Sequence, residues 1–106
     1  MGADLSVMRG KEEMAYFRDS YNASNLLWQL GGSYWEMLKS CKSHKAKIEY
    51  LKECLKRLPL KQQEWAEMLK PEWAEHFNRK TIEFENWIRE ADRSYKKRGV
   101  KIIWSC

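Results

Sequence analysis

The feature that most constrains this chain is a long run of apolar residues at helical spacing between Pro71 and Gly99. The apolar positions are Trp73, Phe77, Phe84, Ile88, Ala91 and Tyr95. Proline is favoured as a first helical residue and glycine just past a helix end, so the run predicts one long helix. We expect Trp73 and Trp87 to lie in the core, because a small domain gains much from each large buried ring. The bases that fill the last turns, where the helix dipole favours cations, are Arg93, Lys96, Lys97 and Arg98.

Shorter helices are predicted upstream from capping residues and apolar spacing. Met14 and Phe17 suit a first helix from Lys11 to about Asp19, and Asn25 can cap a short one from Leu26 to Leu30. The string Ser33-Tyr34-Trp35-Glu36 reads as a capping box that starts a helix at Tyr34 and takes it to about Ser40. Ser43 can cap a further helix through Leu58, and Pro59 then predicts a stop or kink.

Only two runs are rich in β-forming residues, and they lie at opposite ends of the chain. Ala3–Met8 alternates apolar and polar residues, and Val100–Ser105 is the other run. Two short strands are not stable alone in water, so we expect them to pair with each other and pack on the helices. The predicted fold is therefore mainly α, a single domain over residues 1–106. It has four to five helices and a two-stranded β-ribbon that pairs the N- and C-terminal segments.

Length and cysteine content indicate the class of protein. A chain of 106 residues can bury a modest core without disulfides. The three cysteines are an odd number at spacings that match no disulfide framework, and no signal peptide is evident, which predicts a reducing, cytoplasmic location. No apolar run approaches the roughly 20 residues of a membrane span, so no membrane partner is expected.

The positive charge is concentrated in one part of the sequence. The chain carries a net charge of +5, and the window from Lys39 to Lys61 holds eight bases against two acids. Such a window is either a solvated lysine face or a surface that attracts an anionic partner. The residues predicted to attract anions are Lys42, Lys45, Lys52 and Lys56.

No catalytic or metal-binding pattern is complete. Cys41-x-x-His44 supplies half of a zinc site, and Glu72-Trp-Ala-Glu75-His76 is one histidine short of a zinc-protease pattern. No nucleophile turn, Walker loop or dinucleotide-binding glycine pattern occurs. We therefore predict a protein that is not an enzyme and that holds no metal and no cofactor.

The string Tyr16 to Asn22 interleaves flat rings with hydrogen-bonding groups, a mixture that no packing rule requires. It is either a recognition surface or a structured turn. The tryptophan-rich segment that follows it extends to Trp35, and its aromatic residues can either pack in the core or line a groove. The predicted ligand-binding residues are Arg18, Tyr21, Asn22, Trp28, Tyr34 and Trp35.

Several strings resemble a family of small uncharacterised proteins of phage and bacterial genomes. They are Met-Gly-Ala-Asp-Leu at the start, Tyr-Phe-Arg-Asp-Ser-Tyr-Asn, Ser-Asn-Leu-Leu-Trp, Gly-Gly-Ser-Tyr-Trp, and Ile-Ile-Trp-Ser-Cys at the end. They cover about a third of the chain. Family members carry a longer insert before Tyr-Phe-Arg and often Leu-Ser-Trp-Trp where this chain has Gly-Ser-Tyr-Trp, so this copy resembles a shortened one. The resemblance implies a helical fold with a terminal ribbon and a phage origin, but no established activity.

Two functions follow as expectations, both non-enzymatic. In the first, the protein captures an anionic, ring-bearing, nucleotide-derived molecule such as a host defence signal. In the alternative, the same aromatic residues anchor it on an acidic host protein, which it inhibits, and the basic helix steers association. A third possibility is nonspecific nucleic-acid binding, for which the chain has the positive charge but no recognised binding motif. The oligomeric state stays open, including a homo-oligomer.

Overall fold

The computed structural model describes residues 2–20 and 25–106, where it places three strands and five helices. The strands are β1 (Gly2–Arg9), β2 (Glu12–Ser20) and β3 (Val100–Ser105). The helices are α1 (Leu26–Gln29), α2 (Tyr34–Ser40), α3 (His44–Leu55), α4 (Leu58–Met68) and α5 (Pro71–Ser94). The predicted mainly helical class is confirmed.

The three strands form one antiparallel sheet in the order β2-β1-β3. The predicted pairing of the two ends of the chain is confirmed, since Leu5 of β1 faces Trp104 of β3. The prediction of a two-stranded ribbon is wrong, because β1 also pairs along its other edge with β2, where Leu5 faces Phe17. The third strand gives the sheet an apolar inner face wide enough to pack on the helices.

The predicted helix from Lys11 to Asp19 is wrong, because those residues turn and return as β2. Arg9 pairs with Glu12, which leaves a two-residue hairpin turn at Gly10 and Lys11. Gly10 has φ of 64°, a conformation that favours glycine at the first position of such a turn. A spacing of three residues between Met14 and Phe17 suits a helix, but the turn at Gly10 and the pairing with β1 decide for a strand.

The core lies between the inner face of the sheet and the long helix α5. Leu5 and Val7 of β1 are completely buried, and Phe17 of β2 packs on Phe84 of α5 with ring centroids 5.0 Å apart. Trp87 is buried as predicted and meets Trp104 edge-on at 5.4 Å. Its indole N–H has no acceptor among the described residues. The sheet and α5 therefore stabilise each other through aromatic contacts.

The predicted starts of α1 and α2 are confirmed by their caps. The Asn25 side chain accepts from the Trp28 amide at 2.7 Å, and Ser33 Oγ accepts from the Glu36 amide at 3.3 Å. The second half of the predicted capping box is replaced, because the Ser33 amide donates to the Tyr50 hydroxyl at 2.9 Å. That bond fixes the start of α2 against α3.

The region around Pro59 holds a helix that the sequence analysis missed. The predicted helix from Ser43 to Leu58 ends at Leu55, and α4 then begins at Leu58 with Pro59 in its first turn. In α4, Trp65 is buried and stacks on Phe77 of α5 with centroids 5.1 Å apart. The turn geometry before α4 therefore makes Pro59 a helix start, where its missing N–H costs nothing.

Two predictions about α5 are wrong. Trp73 is 52% exposed, so it is not a core residue. The helix starts at Pro71 as predicted but ends at Ser94, so Lys96, Lys97 and Arg98 lie beyond its last turn. Only Arg93 of that basic cluster lies where the helix dipole favours a cation.

Candidate functional site

The predicted recognition string is divided between the two faces of β2. Successive residues of a strand point to opposite faces, so Phe17 and Asp19 are buried while Tyr16 and Arg18 are exposed. Tyr21 and Asn22, two of the predicted ligand-binding residues, lie outside the described residues. Phe17 and Asp19 therefore belong to the inner side of the sheet and Tyr16 and Arg18 to its outer side, so these four residues do not form one site.

The buried half of the string is a hydrogen-bonding centre around Asp19, whose side chain is 3% exposed. One carboxylate oxygen accepts from the amides of Ser20 at 3.0 Å and Leu26 at 2.9 Å. The other accepts from the Leu27 amide at 3.1 Å and the Tyr34 hydroxyl at 2.8 Å. Asp19 thus satisfies the first amides of α1 and connects β2, α1 and α2.

Tyr34, another predicted ligand residue, belongs to this centre. It is 8% exposed, and its hydroxyl is already donated to Asp19. Burial, together with the negative charge of Asp19, raises the pKa of Tyr34 well above its usual value. A neutral, hydrogen-bonded ring in this position stabilises the fold.

The exposed half of the string lies on the outer face of the sheet. Arg18 Nε is 3.8 Å from Asp4 Oδ1, and the Tyr16 hydroxyl donates to the same carboxylate oxygen. That hydrogen bond raises the pKa of Tyr16. Lys80 of α5 donates to the Arg18 carbonyl at 3.0 Å. Arg18 therefore keeps about half of its side chain exposed but is close to a compensating acid.

The two tryptophans of the predicted ligand set are both exposed. Trp28 is 56% exposed on α1, and Trp35 is 77% exposed on the first turn of α2. Trp35, Leu38, Lys39 and Cys106 line a shallow apolar groove of about 390 Å³, which we call the Trp35 groove. The groove joins α2 to the end of the chain, because Cys106 follows β3 directly.

The far end of β3 is fixed next to α3. The Trp104 indole N–H donates to His44 Nδ1 at 3.0 Å, and Lys47 lies over the Trp104 ring at 5.8 Å. Burial, with smaller effects of the Asp4 and Asp19 carboxylates, raises the pKa of the Cys106 thiol to about 11. Cys106 is therefore a neutral, apolar wall of the Trp35 groove at ordinary pH.

The predicted anion-attracting lysines separate into two pairs. Lys52 bonds Asp92 at 2.7 Å, which raises the pKa of the lysine, and Lys56 bonds Glu53 at 2.7 Å. Lys42 and Lys45 have no ion pair within residues 2–20 and 25–106. Because Lys39 lines the Trp35 groove and these two follow it closely in the chain, the uncompensated charge lies at that end of α2 and α3.

Comparison with family models, with curated proteins and with solved structures finds no match for this chain. The family resemblance of the sequence strings therefore stays a prediction. Among the described helices, none has the length and apolarity to cross a bilayer. In the same part of the chain, no three histidine, cysteine or acidic side chains converge as metal ligands.

A second groove, which the sequence did not predict, lies on α5. His76, Arg79, Lys80 and Glu83 line a polar depression of about 270 Å³. The exposed ring of Trp73 meets His76 edge-on with centroids 5.9 Å apart. Residues 73, 76 and 80 are spaced so that they fall on one face of a helix, and this spacing could have indicated the groove. It was not used because Trp73 was predicted to lie in the core.

Proposed function

We propose that this protein is a non-enzymatic binding protein that docks Trp35 into an apolar pocket of an acidic protein partner. The observation that carries the proposal is the exposure of Trp35, at 77% the greatest among the large hydrophobic side chains of the described residues. If a phage encodes the chain, as the sequence strings imply, the partner is a host protein and binding inhibits it.

The position of Trp35 suits an anchor residue. Its neighbour Tyr34 is fixed to Asp19, and the Ser33 cap and the bond from Ser33 to Tyr50 hold the first turn of α2. A ring presented on a rigid turn loses little conformational entropy on binding. Tryptophan is among the residues most enriched at the centres of protein interfaces, where each can contribute 2 kcal/mol or more.

The charge next to the Trp35 groove indicates the kind of partner. Lys39 lines the groove, and Lys42 and Lys45 are uncompensated within the described part of the chain. Lys39 at the groove and two uncompensated lysines that follow it closely in the chain are complementary to an acidic rim around an apolar pocket, and such charges accelerate association at low salt. The sequence expectation of a pocket that includes Tyr34 loses support, because that hydroxyl is used by Asp19.

The experiment compares two exposed tryptophans. The immobilised protein captures partners from an extract of the cell in which the gene is expressed, and the affinity of the purified partner is then measured by calorimetry. Trp35→Ala should weaken binding at least thirtyfold, which corresponds to about 2 kcal/mol, and should leave the melting temperature nearly unchanged. Trp28→Ala is the matched control, because Trp28 is exposed but does not line the groove, and it should retain affinity.

Charge variants test the rim separately. Lys42→Glu and Lys45→Glu should slow association and reduce its salt dependence, whereas Lys97→Glu, a charge change beyond the end of α5, should have little effect. Equal affinity of Trp35→Ala and the unmutated protein would refute the proposal. Capture of nucleic acid in place of protein, with a steep salt slope that all three lysine variants share, would refute it as well.

A further inference from the structure

We infer that the groove on α5 is a second binding site, which takes a phosphate monoester attached to a flat ring, as in a mononucleotide. Its residues are His76, Arg79, Lys80 and Glu83 in the groove and Trp73 beside it. This site is separate from the Trp35 groove in residues, helix and ligand.

Arg79 is the residue available for a phosphate. It is exposed, and two acids lie within one helical turn of it, Glu75 and Glu83. Within the described residues, however, Arg79 forms no ion pair, since Glu83 is 3.5 Å from Lys80 instead. A guanidinium that lines a groove without an internal partner presents its fork of N–H groups to solvent, and that fork matches the oxygens of a phosphate.

Lys80 is held in place beside Arg79. Its ammonium donates to the Arg18 carbonyl at 3.0 Å, approaches Glu83, and lies 5.6 Å from the centre of the Phe17 ring. These three contacts restrain a side chain that is normally flexible, so a ligand loses less entropy when it uses the charge. Lys80 therefore gives the groove a restrained positive charge, and Arg79 supplies the fork of N–H donors.

Trp73 supplies the flat surface. The residue is 52% exposed, and its ring stands at 85° to the His76 ring. Residues 73 and 79 are separated by about 9 Å along the helix axis and about 120° around it. His76 connects them, because it contacts Trp73 and lines the groove together with Arg79. A ring stacked on Trp73 can therefore be joined through a sugar to a phosphate that the long Arg79 side chain reaches. Stacking of a base on an aromatic side chain tolerates different bases, so the site selects the class and not the base.

The net charge of the groove indicates how many phosphates the ligand carries. Two cations, Arg79 and Lys80, and one acid, Glu83, line the groove. Their net charge of one positive unit suits a single phosphate better than a polyanion. This balance also makes Glu83 an opposing group, so its neutralisation should strengthen binding while the loss of Arg79 weakens it.

The test is calorimetric titration of the whole protein with AMP, inorganic phosphate and adenosine. The unmutated protein should bind AMP more tightly than either fragment. Arg79→Gln should weaken AMP binding at least tenfold, and Glu83→Gln should strengthen it severalfold. Arg89→Gln is the matched control, since Arg89 is an exposed arginine of the same helix that bonds Asn86, about 15 Å further along.

The aromatic part has its own variant. Trp73→Ala should weaken AMP binding without changing the affinity for phosphate. Trp35→Ala should leave AMP binding unchanged, so failure of the proposed protein interface and failure of this site are distinguishable. No AMP binding by the unmutated protein, or equal losses in Arg79→Gln and Arg89→Gln, would overturn the inference. Melting curves of each variant establish that the protein is folded when it is titrated.

Discussion

Replacement of Asp19 by alanine should destabilise the protein strongly although the residue lies in the string predicted to bind a ligand. Asp19 is 3% exposed, and from the described residues its carboxylate accepts four hydrogen bonds, from three amides and the Tyr34 hydroxyl. Alanine leaves the amides of Leu26 and Leu27 and the Tyr34 hydroxyl without an acceptor in a dry environment. The Ser20 amide is only part-buried and can bond water.

Each buried donor that loses its acceptor costs about 1–3 kcal/mol. The three buried donors give at least about 3 kcal/mol, a large share of the 5–15 kcal/mol that holds a typical domain together. The melting temperature should therefore fall by about 12 °C or more, at about 4 °C per kcal/mol for a chain of this size. Asp19→Asn should be intermediate, because the amide keeps one acceptor oxygen but turns an NH₂ group toward the remaining donors.

Urea denaturation followed by circular dichroism measures the effect, with Asp4→Ala as the matched control. Asp4 is an aspartate of the neighbouring strand whose partners, Arg18 and Tyr16, are exposed, so its removal should cost less than about 1 kcal/mol. Equal stability of Asp19→Ala and Asp4→Ala would refute the structural role of Asp19. The string would then have to be explained by a ligand instead.

Two further predictions concern ionisation. The pKa of Tyr34 is raised in the folded state, so the unfolded chain releases this proton first: stability is intact below about pH 10 and falls as pH rises from there toward the folded pKa. Urea denaturation between pH 8 and pH 12 should therefore show a shallower alkaline loss in Tyr34→Phe than in the unmutated protein, and parallel curves would contradict this. Cys106 has a pKa of about 11 in the folded protein, against an ordinary value near 9, so its thiolate fraction near pH 8 is about a hundredfold lower than in the unfolded chain. Iodoacetamide reacts with the thiolate and should therefore label Cys106 about a hundredfold more slowly in the folded protein than in urea. Mass spectrometry of the tryptic peptide 102–106 measures this rate, and equal labelling in both states would show that the thiol is not protected.

Local signals in the sequence were enough to predict several helix starts and one strand pairing. The caps at Asn25 and Ser33 and the proline at position 71 each fix a helix start through groups within three residues, so they act the same way in any fold. The pairing of β1 with β3 was also predictable, because a β-rich run needs a partner and the chain offered only two obvious ones.

Tertiary structure decided which side chains are buried. Asp19 and Arg18 are neighbours in sequence, yet β2 turns one into the core and the other to solvent, and only pairing with β1 makes that segment a strand. Trp73 and Trp87 are 14 residues apart, which places them within about 40° on the same face of α5 but about 21 Å apart along its axis. Trp87 meets β3, whereas Trp73 is left more than half exposed near the first turn. Periodicity gives the direction of a side chain, and only the packed fold determines whether another element is there to cover it.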